Sequence, residues 1–236
     1  MEYIKTFENY SEDLIVEKLN LRPLLDKLKS SLNKNKIATL IIGSLLSVLS
    51  VTQVINFIEN RLDLTGVDKT TLMDAVTKYK DPSTLKLSHF GWNHIKNHEK
   101  LILKAYRIGD GKITIGYGHA TPIQTSKYKV GHRISKEEAD RLFIIDINIA
   151  AEGVKRIFEQ WKEQGINVKI TQNQYDVMVS MTFNMGVTSF RTSKFIQMIK
   201  NNNLEKAAEL IKTTGINDKF PGLEHRRLIE YKQFVS

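Results

Sequence analysis

The stretch from Asn97 to His119, NHEKLILKAYRIGDGKITIGYGH, decides how the chain reads. A helical pattern opening near Asn93 continues through the apolar residues Leu101, Ile102, Leu103 and Tyr106. Arg107-Ile108-Gly109-Asp110-Gly111 interrupts it with turn chemistry. Lys112 to Tyr117 is β-branched and alternating, which predicts a strand. Glu99 lies just before the apolar face, where a carboxyl can be partly desolvated. Desolvation raises a carboxyl's pKa and suits it to general-acid work near neutral pH. Taken alone, a glutamate in this position is more commonly a solvated helix residue.

Asp110 and Thr114 add a second carboxylate and a hydroxyl within 20 residues, able to hold a water opposite an acid, as an inverting glycosidase requires. Gly116 and Gly118 alternate along the strand and leave one face bare for a polymer to approach. From Ser135 onward the pattern turns helical. Ser135-Lys136-Glu137-Glu138 reads as a capping box before a core face of Ala139, Leu142, Phe143, Ile145 and Ile149. Further helices are expected over Thr171 to Met185, Ser193 to Asn201, Leu204 to Lys212 and Leu223 to Phe234. The C-terminal part is therefore mostly α with one small β element.

Upstream, Asp81-Pro82-Ser83 ends a short helix over Asp68 to Tyr79 and marks a boundary near 82–90. Before it lie a charged amphipathic helix in residues 1–30 and 22 uncharged residues, Ile37 to Ile58. A helix of that length spans roughly 30 Å, about a bilayer core. Its Ser, Thr, Gly and Gln content, with Thr39, Gly43, Ser47 and Ser50 on one stripe, fits a soluble bundle helix equally well. If the segment inserts, the basic run from Arg22 to Lys36 holds the N-terminus in the cytoplasm and places residues 59–236 outside.

Of the 236 residues, 35 are Lys or Arg and 26 Asp or Glu, for a formal net charge of +9. Residues 1–90 carry 12 basic and 11 acidic side chains and residues 91–236 carry 23 and 15, so the excess belongs to the C-terminal part. It points to an anionic partner. The chain has no cysteine, which excludes disulfide scaffolds, Cys-ligated metal sites and thiol catalysis. Nucleic acid is not the expected partner, since no aromatic platform or recognition helix accompanies the charge. The glycine pairs open no helix and form neither a dinucleotide nor a phosphate loop.

Four ordered motifs over about 140 residues resemble the phage-type lysozymes, the endolysin family classed with glycoside hydrolase family 24. They are Asn97 to His119, the capping box, alanine and aspartate of Ser135 to Asp146, and Phe183-Asn184-Met185-Gly186 within Gln174 to Ser193. The last is Gly222-Leu223 with Arg226-Arg227-x-x-Glu230. The resemblance implies an α+β, lysozyme-like domain with a small β lobe and a helical lobe. It also implies cleavage, with inversion and no cofactor, of the β-1,4 bond between N-acetylmuramic acid and N-acetylglucosamine in peptidoglycan. Glu99 takes the general-acid position and Thr114 that of the water-positioning threonine. The family's aspartate, nine residues after the glutamate, falls on Ile108, which cannot orient water, and Asp110 stands two residues further on. A two-residue shift keeps the strand face, so Asp110 can present its carboxylate to the same water; a plain Asp-Gly turn residue is the alternative.

Substrate contacts are expected from Tyr117, His119, which shapes the cleft floor, and Asn184, whose amide either meets an N-acetyl group or serves structure. Arg226 and Arg227 are expected to pair with Glu230 or Glu224 along the last helix. His94, His98 and His119 lack metal-ligand spacing, and no metal is expected. The whole divides into a helical delivery or anchor region, 1–87, and a catalytic domain, 88–236. Three deliveries stand open. Residues 37–58 act as a membrane signal-anchor exporting the enzyme to the periplasmic side, or pack inside a phage virion that opens the wall at infection, or the fold is a degenerate wall-binding module.

Overall fold

The computed structural model describes residues 76–216 and 222–236, with Ile42, Leu45, Leu49, Gln53, Val54 and Phe57 upstream. The expected helix in 1–30, the basic run 22–36, most of 37–58 and residues 68–75 lie outside the described residues. A 3-10 turn, Pro82–Thr84, leads into α1 (His89–His98), followed by β1 (Ile102–Tyr106), β2 (Lys112–Gly116) and β3 (His119–Pro122). Then come α2 (Lys136–Glu163), α3 (Gln172–Met185), α4 (Val187–Arg191), α5 (Lys194–Lys200), α6 (Leu204–Ile211) and α7 (Leu223–Phe234).

The helices of the larger lobe surround α3, in which every residue from Gln174 to Thr182 is buried. Such burial on all sides marks a helix at the centre of a bundle. Its start is fixed by Thr171, whose hydroxyl accepts from Gln174 N while Gln174 Oε1 accepts from Thr171 N at 3.0 Å, a reciprocal capping box. At α2 only half of the expected box forms. Ser135 accepts from Glu138 N at 3.2 Å, but the Glu138 carboxylate turns to the Tyr128 hydroxyl at 3.1 Å instead. The 28-residue α2 buries Phe143, Ile147, Val154, Ile157 and Trp161 against the bundle. It passes α4 so closely that a Cβ on Gly153 would lie 2.6 Å from Val187 Cγ2.

Two expectations are corrected. Residues 102–106 form strand β1 rather than the continuation of α1, which ends at His98; pairing with β2 outweighs a helical spacing that a short apolar run satisfies equally. Ile145 and Ile149 are half-exposed on the outer face of α2, and Ile147 and Ala150 fill the core instead.

The β lobe is a three-stranded antiparallel sheet in the order β1-β2-β3. Ala105, Ile113 and Ile115 on one face pack with Tyr128 and Leu142. Upstream of α1 the chain is joined to the helical lobe: Lys80 pairs with Ile170 through two backbone bonds, and Lys162 Nζ meets Asp81 at 2.9 Å. Val76, Tyr79 and Leu85 are buried in the same apolar cluster as the bundle, and so are Ile42, Leu45, Leu49, Val54 and Phe57. Among the described residues no helix is long and apolar enough to cross a membrane.

Candidate active site

Glu99 caps the C-terminus of α1 in extended conformation, at the junction of the two lobes. Its Oε1 accepts from Arg226 Nη1 at 2.7 Å. Its Oε2 faces Gly118, where a Cβ would lie 3.6 Å away. That is ordinary contact, so the glycine is demanded by its φ of +94° rather than by space.

Arg226 reaches Glu99 from α7, and the buried network behind it fixes its position. Its Nε donates to Glu230 Oε1 at 3.1 Å, and its Nη2 donates to the Ser180 carbonyl and hydroxyl at 3.2 and 3.1 Å. Ser180 in turn donates to Glu230 at 2.6 Å. Arg227 donates to the other oxygen of Glu230, to the Thr214 carbonyl at 2.8 Å and to Asn184 Oδ1 at 2.8 Å. Burial pushes the Glu230 carboxyl up, but the facing His94 ring and the charges of Arg227 and Arg226 overcome it and hold the group down at about 2. The carboxylate therefore stays ionised and the two guanidinium groups stay in place.

The sheet presents Thr114 on the face opposite Ile113 and Ile115. Tyr106 is its cross-strand partner and shares that face. The Tyr106 phenol is raised by partial burial and by the Glu99 charge, which places this face within electrostatic reach of the glutamate. Thr114 is 5% exposed, and its hydroxyl has no hydrogen-bond partner among the described residues. A buried hydroxyl without a partner stands ready for a water or a substrate atom.

Asp110 sits exposed in the β1–β2 turn, between Gly109 and Gly111 at φ +87° and +77°. Its Oδ1 accepts from Lys112 N at 3.1 Å. Ile108, two residues before Asp110, is 65% exposed. His119 Nδ1 lies 3.0 Å from both oxygens of Asp146 on α2, a pair that ties β3 to the helical lobe. Tyr117 is 7% exposed with its ring 5.0 Å from that of Phe143, a packing position. Asn184 is exposed, and Arg227 holds its amide oxygen. His98 Nδ1 donates to the His94 carbonyl at 2.8 Å, and His94 faces Glu230 at 3.8 Å. Among the described residues no three His, Asp or Glu side chains are grouped to hold a metal.

The pairing of Arg226 and Arg227 with Glu230 follows the helical spacing. The contact of Arg226 with Glu99, the Ser180 hydroxyl and the Asp146 partner of His119 carry no local signal, because the partners stand 127, 50 and 27 residues apart.

The glycines do not bare a strand face as expected: Gly116 is buried, with a Cβ there 3.4 Å from Ala139, and Gly118 lies in the β2–β3 turn. A glutamate held at a lobe junction, with one oxygen toward that turn, and a buried threonine hydroxyl on the sheet are an arrangement suited to a lysozyme-type hydrolase. The phage lysozyme family model matches residues 96–230, more than half of the chain. The chain belongs to that family of peptidoglycan hydrolase-like endolysins. It is 34% identical over 158 residues to an endolysin of Acyrthosiphon pisum secondary endosymbiont phage 1, covering 64% of this chain and 99% of that protein. It is 31% identical over 160 residues to an endolysin of Bacillus phage B103, again over 64% of this chain but 55% of that protein. Among solved structures, the muramidase domain of SpmX from Asticaccaulis excentricus matches with a TM-score of 0.53 at 28% identity, covering 64% of this chain and 98% of that one. An endolysin from Escherichia coli O157:H7 phage FAHEc1 matches with a TM-score of 0.51 at 30% identity, covering 64% and 94%.

Proposed function

We propose that this chain cleaves the β-1,4 bond between N-acetylmuramic acid and N-acetylglucosamine in peptidoglycan, with inversion. The observation that carries the reading is Glu99: one oxygen is fixed by Arg226 at 2.7 Å while the other is open beside Gly118. In this reading Glu99 gives its proton to the glycosidic oxygen as the bond to the anomeric carbon breaks. A water attacks that carbon from the opposite face, held by the Thr114 hydroxyl, and loses its proton to a carboxylate. Asp110 is assigned that role as the sole acidic residue between Lys100 and Arg133. One hydrogen bond in an exposed turn between two glycines leaves its carboxylate free to swing toward the cleft.

The test is clearing of purified peptidoglycan in a zymogram. Glu99→Gln is expected to abolish clearing and Asp110→Asn to reduce it by 100-fold or more, on the order of a general-base contribution. Full activity in Asp110→Asn removes Asp110 from the mechanism and leaves Glu99 with Thr114. Activity in Glu99→Gln overturns the reading. For delivery, the burial of Ile42, Leu45, Leu49, Val54 and Phe57 in the bundle's apolar cluster favours residues 37–58 as a packing element over a membrane span. Membrane fractionation of the full chain checks this: recovery in the detergent-dependent fraction alone would restore the anchor.

A further inference from the structure

The basic excess is concentrated in the β lobe. Between Lys100 and Arg133 there are seven Lys and Arg against one acid, Asp110. All seven cations are exposed. Lys127 pairs with Glu138 at 3.4 Å, whereas Lys104, Arg107, Lys112, Lys129 and Arg133 have no acidic partner among the described residues.

The sheet gathers several of these at one end. Gly131 N donates to Ala105 O at 2.9 Å, Ala105 N to His132 O at 2.8 Å and Ile134 N to Leu103 O at 3.0 Å, so the chain over 131–134 runs antiparallel beside β1. Lys129 and Val130 enter the 129–132 turn, closed by His132 N donating to Lys129 O at 2.9 Å, which Gly131 holds against the end of β1. On the other flank Ile123 N donates to Gly111 O at 3.1 Å. Three aliphatic side chains therefore stand in water around the β1–β2 turn: Ile108 at 65% exposure, Val130 at 60% and Ile123 at 37%. Arg107 and Lys112 flank the same turn in sequence, and Lys129 adjoins Val130; all three are exposed. A second exposed aliphatic group among the described residues, Ile144, Ile145 and Ile149 on α2, stands among mixed charges, with Asp146 and Glu152 as well as Arg141, and Leu228 on α7 stands alone.

We propose that this end of the β lobe docks on an anionic phospholipid surface. Unpaired cations alone would attract any polyanion. Isoleucine and valine gain nothing from a hydrated polymer, but they lose their water at the acyl boundary of a bilayer while the flanking cations meet lipid phosphates. One lobe tip with three cations and three aliphatics gives reversible, salt-sensitive attachment, distinct from a membrane-spanning anchor. The docking does not rest on the glycosidic chemistry.

The test is co-sedimentation of the full chain with phosphatidylcholine vesicles, with and without phosphatidylglycerol, alongside retention on immobilised polyphosphate. Binding is expected with phosphatidylglycerol only, weakened about fivefold by each of Arg107→Gln and Lys129→Gln, the equivalent of about 1 kcal/mol per cation near the surface. Ile108→Ser with Ile123→Ser is expected to weaken vesicle binding several-fold and leave polyphosphate retention unchanged, with an unaltered thermal midpoint showing that the fold is intact. Absence of vesicle binding overturns the proposal. So does vesicle binding indifferent to all four substitutions, which would assign it to another part of the chain. Sensitivity to the cation changes alone, matched on polyphosphate, would make the surface a general polyanion site and overturn the lipid assignment.

Discussion

Glu230→Gln removes one charge and almost no volume from the centre of the α7 network, where Glu230 and Arg227 are fully buried and Arg226 is 5% exposed. In the native chain the carboxyl sits at about 2 against an ordinary 4.5, because the facing His94 and the two guanidinium groups outweigh its burial. A depression of that size contributes about 3 kcal/mol of stability. Its sign follows from the direction of the shift: the contribution is present above about pH 4.5, where the unfolded carboxyl ionises, and is lost as pH falls toward 2. Glutamine also leaves Arg227 facing only the neutral oxygens of Thr214 and Asn184, and breaking such a buried pair costs about 3–5 kcal/mol. Urea unfolding at pH 7 should therefore show the variant destabilised by that amount, with a thermal midpoint lower by roughly 10 °C. At pH 3 the gap to wild type should narrow by about 2 kcal/mol, since most of the carboxylate contribution is then gone. A gap below 1 kcal/mol at pH 7, or one unchanged between pH 7 and pH 3, would refute the reasoning.

Two further substitutions test the site and the packing around it. Thr114→Val replaces a buried, unpartnered hydroxyl with a methyl of similar size, so the thermal midpoint should hold or rise while wall clearing falls by at least about tenfold; unchanged clearing would remove the threonine from water positioning. Gly153→Ala places a Cβ 2.6 and 2.9 Å from the Val187 methyls, so it should cost about 1–3 kcal/mol in urea unfolding, largely recovered when Val187→Ala is added.

Local chemistry carried the helical lobe. The helix expected from Thr171 starts there, closed by a reciprocal box with Gln174 that residue types and spacing could have announced, while the box expected at Ser135 forms only half. The same reasoning misplaced residues 101–106, because Leu101, Ile102, Leu103 and Tyr106 satisfy a helical face as well as a strand, and only the later arrival of β2 decides. At Ile145 and Ile149 the repeat drifts off the buried stripe that Phe143, Ile147 and Ala150 follow. Motif order singles out Glu99 and Thr114 for the proposed site, whereas the partner of Glu99 carries no such signal. Arg226 looks inward to Glu230 by helical spacing, and its second contact spans 127 residues that only the folded chain brings together.

That second contact sets an order on when the molecule can work. Synthesis runs from the N-terminus and a domain folds as a unit, so Glu99, the sheet and α2 emerge before the α7 that the unit needs. Until residues beyond 222 have been made and folded, the glutamate has its strand and its glycine but no guanidinium to hold it. The proposed site is thus completed by the last helix described, and a chain truncated ahead of Arg226 carries Glu99 without its clasp.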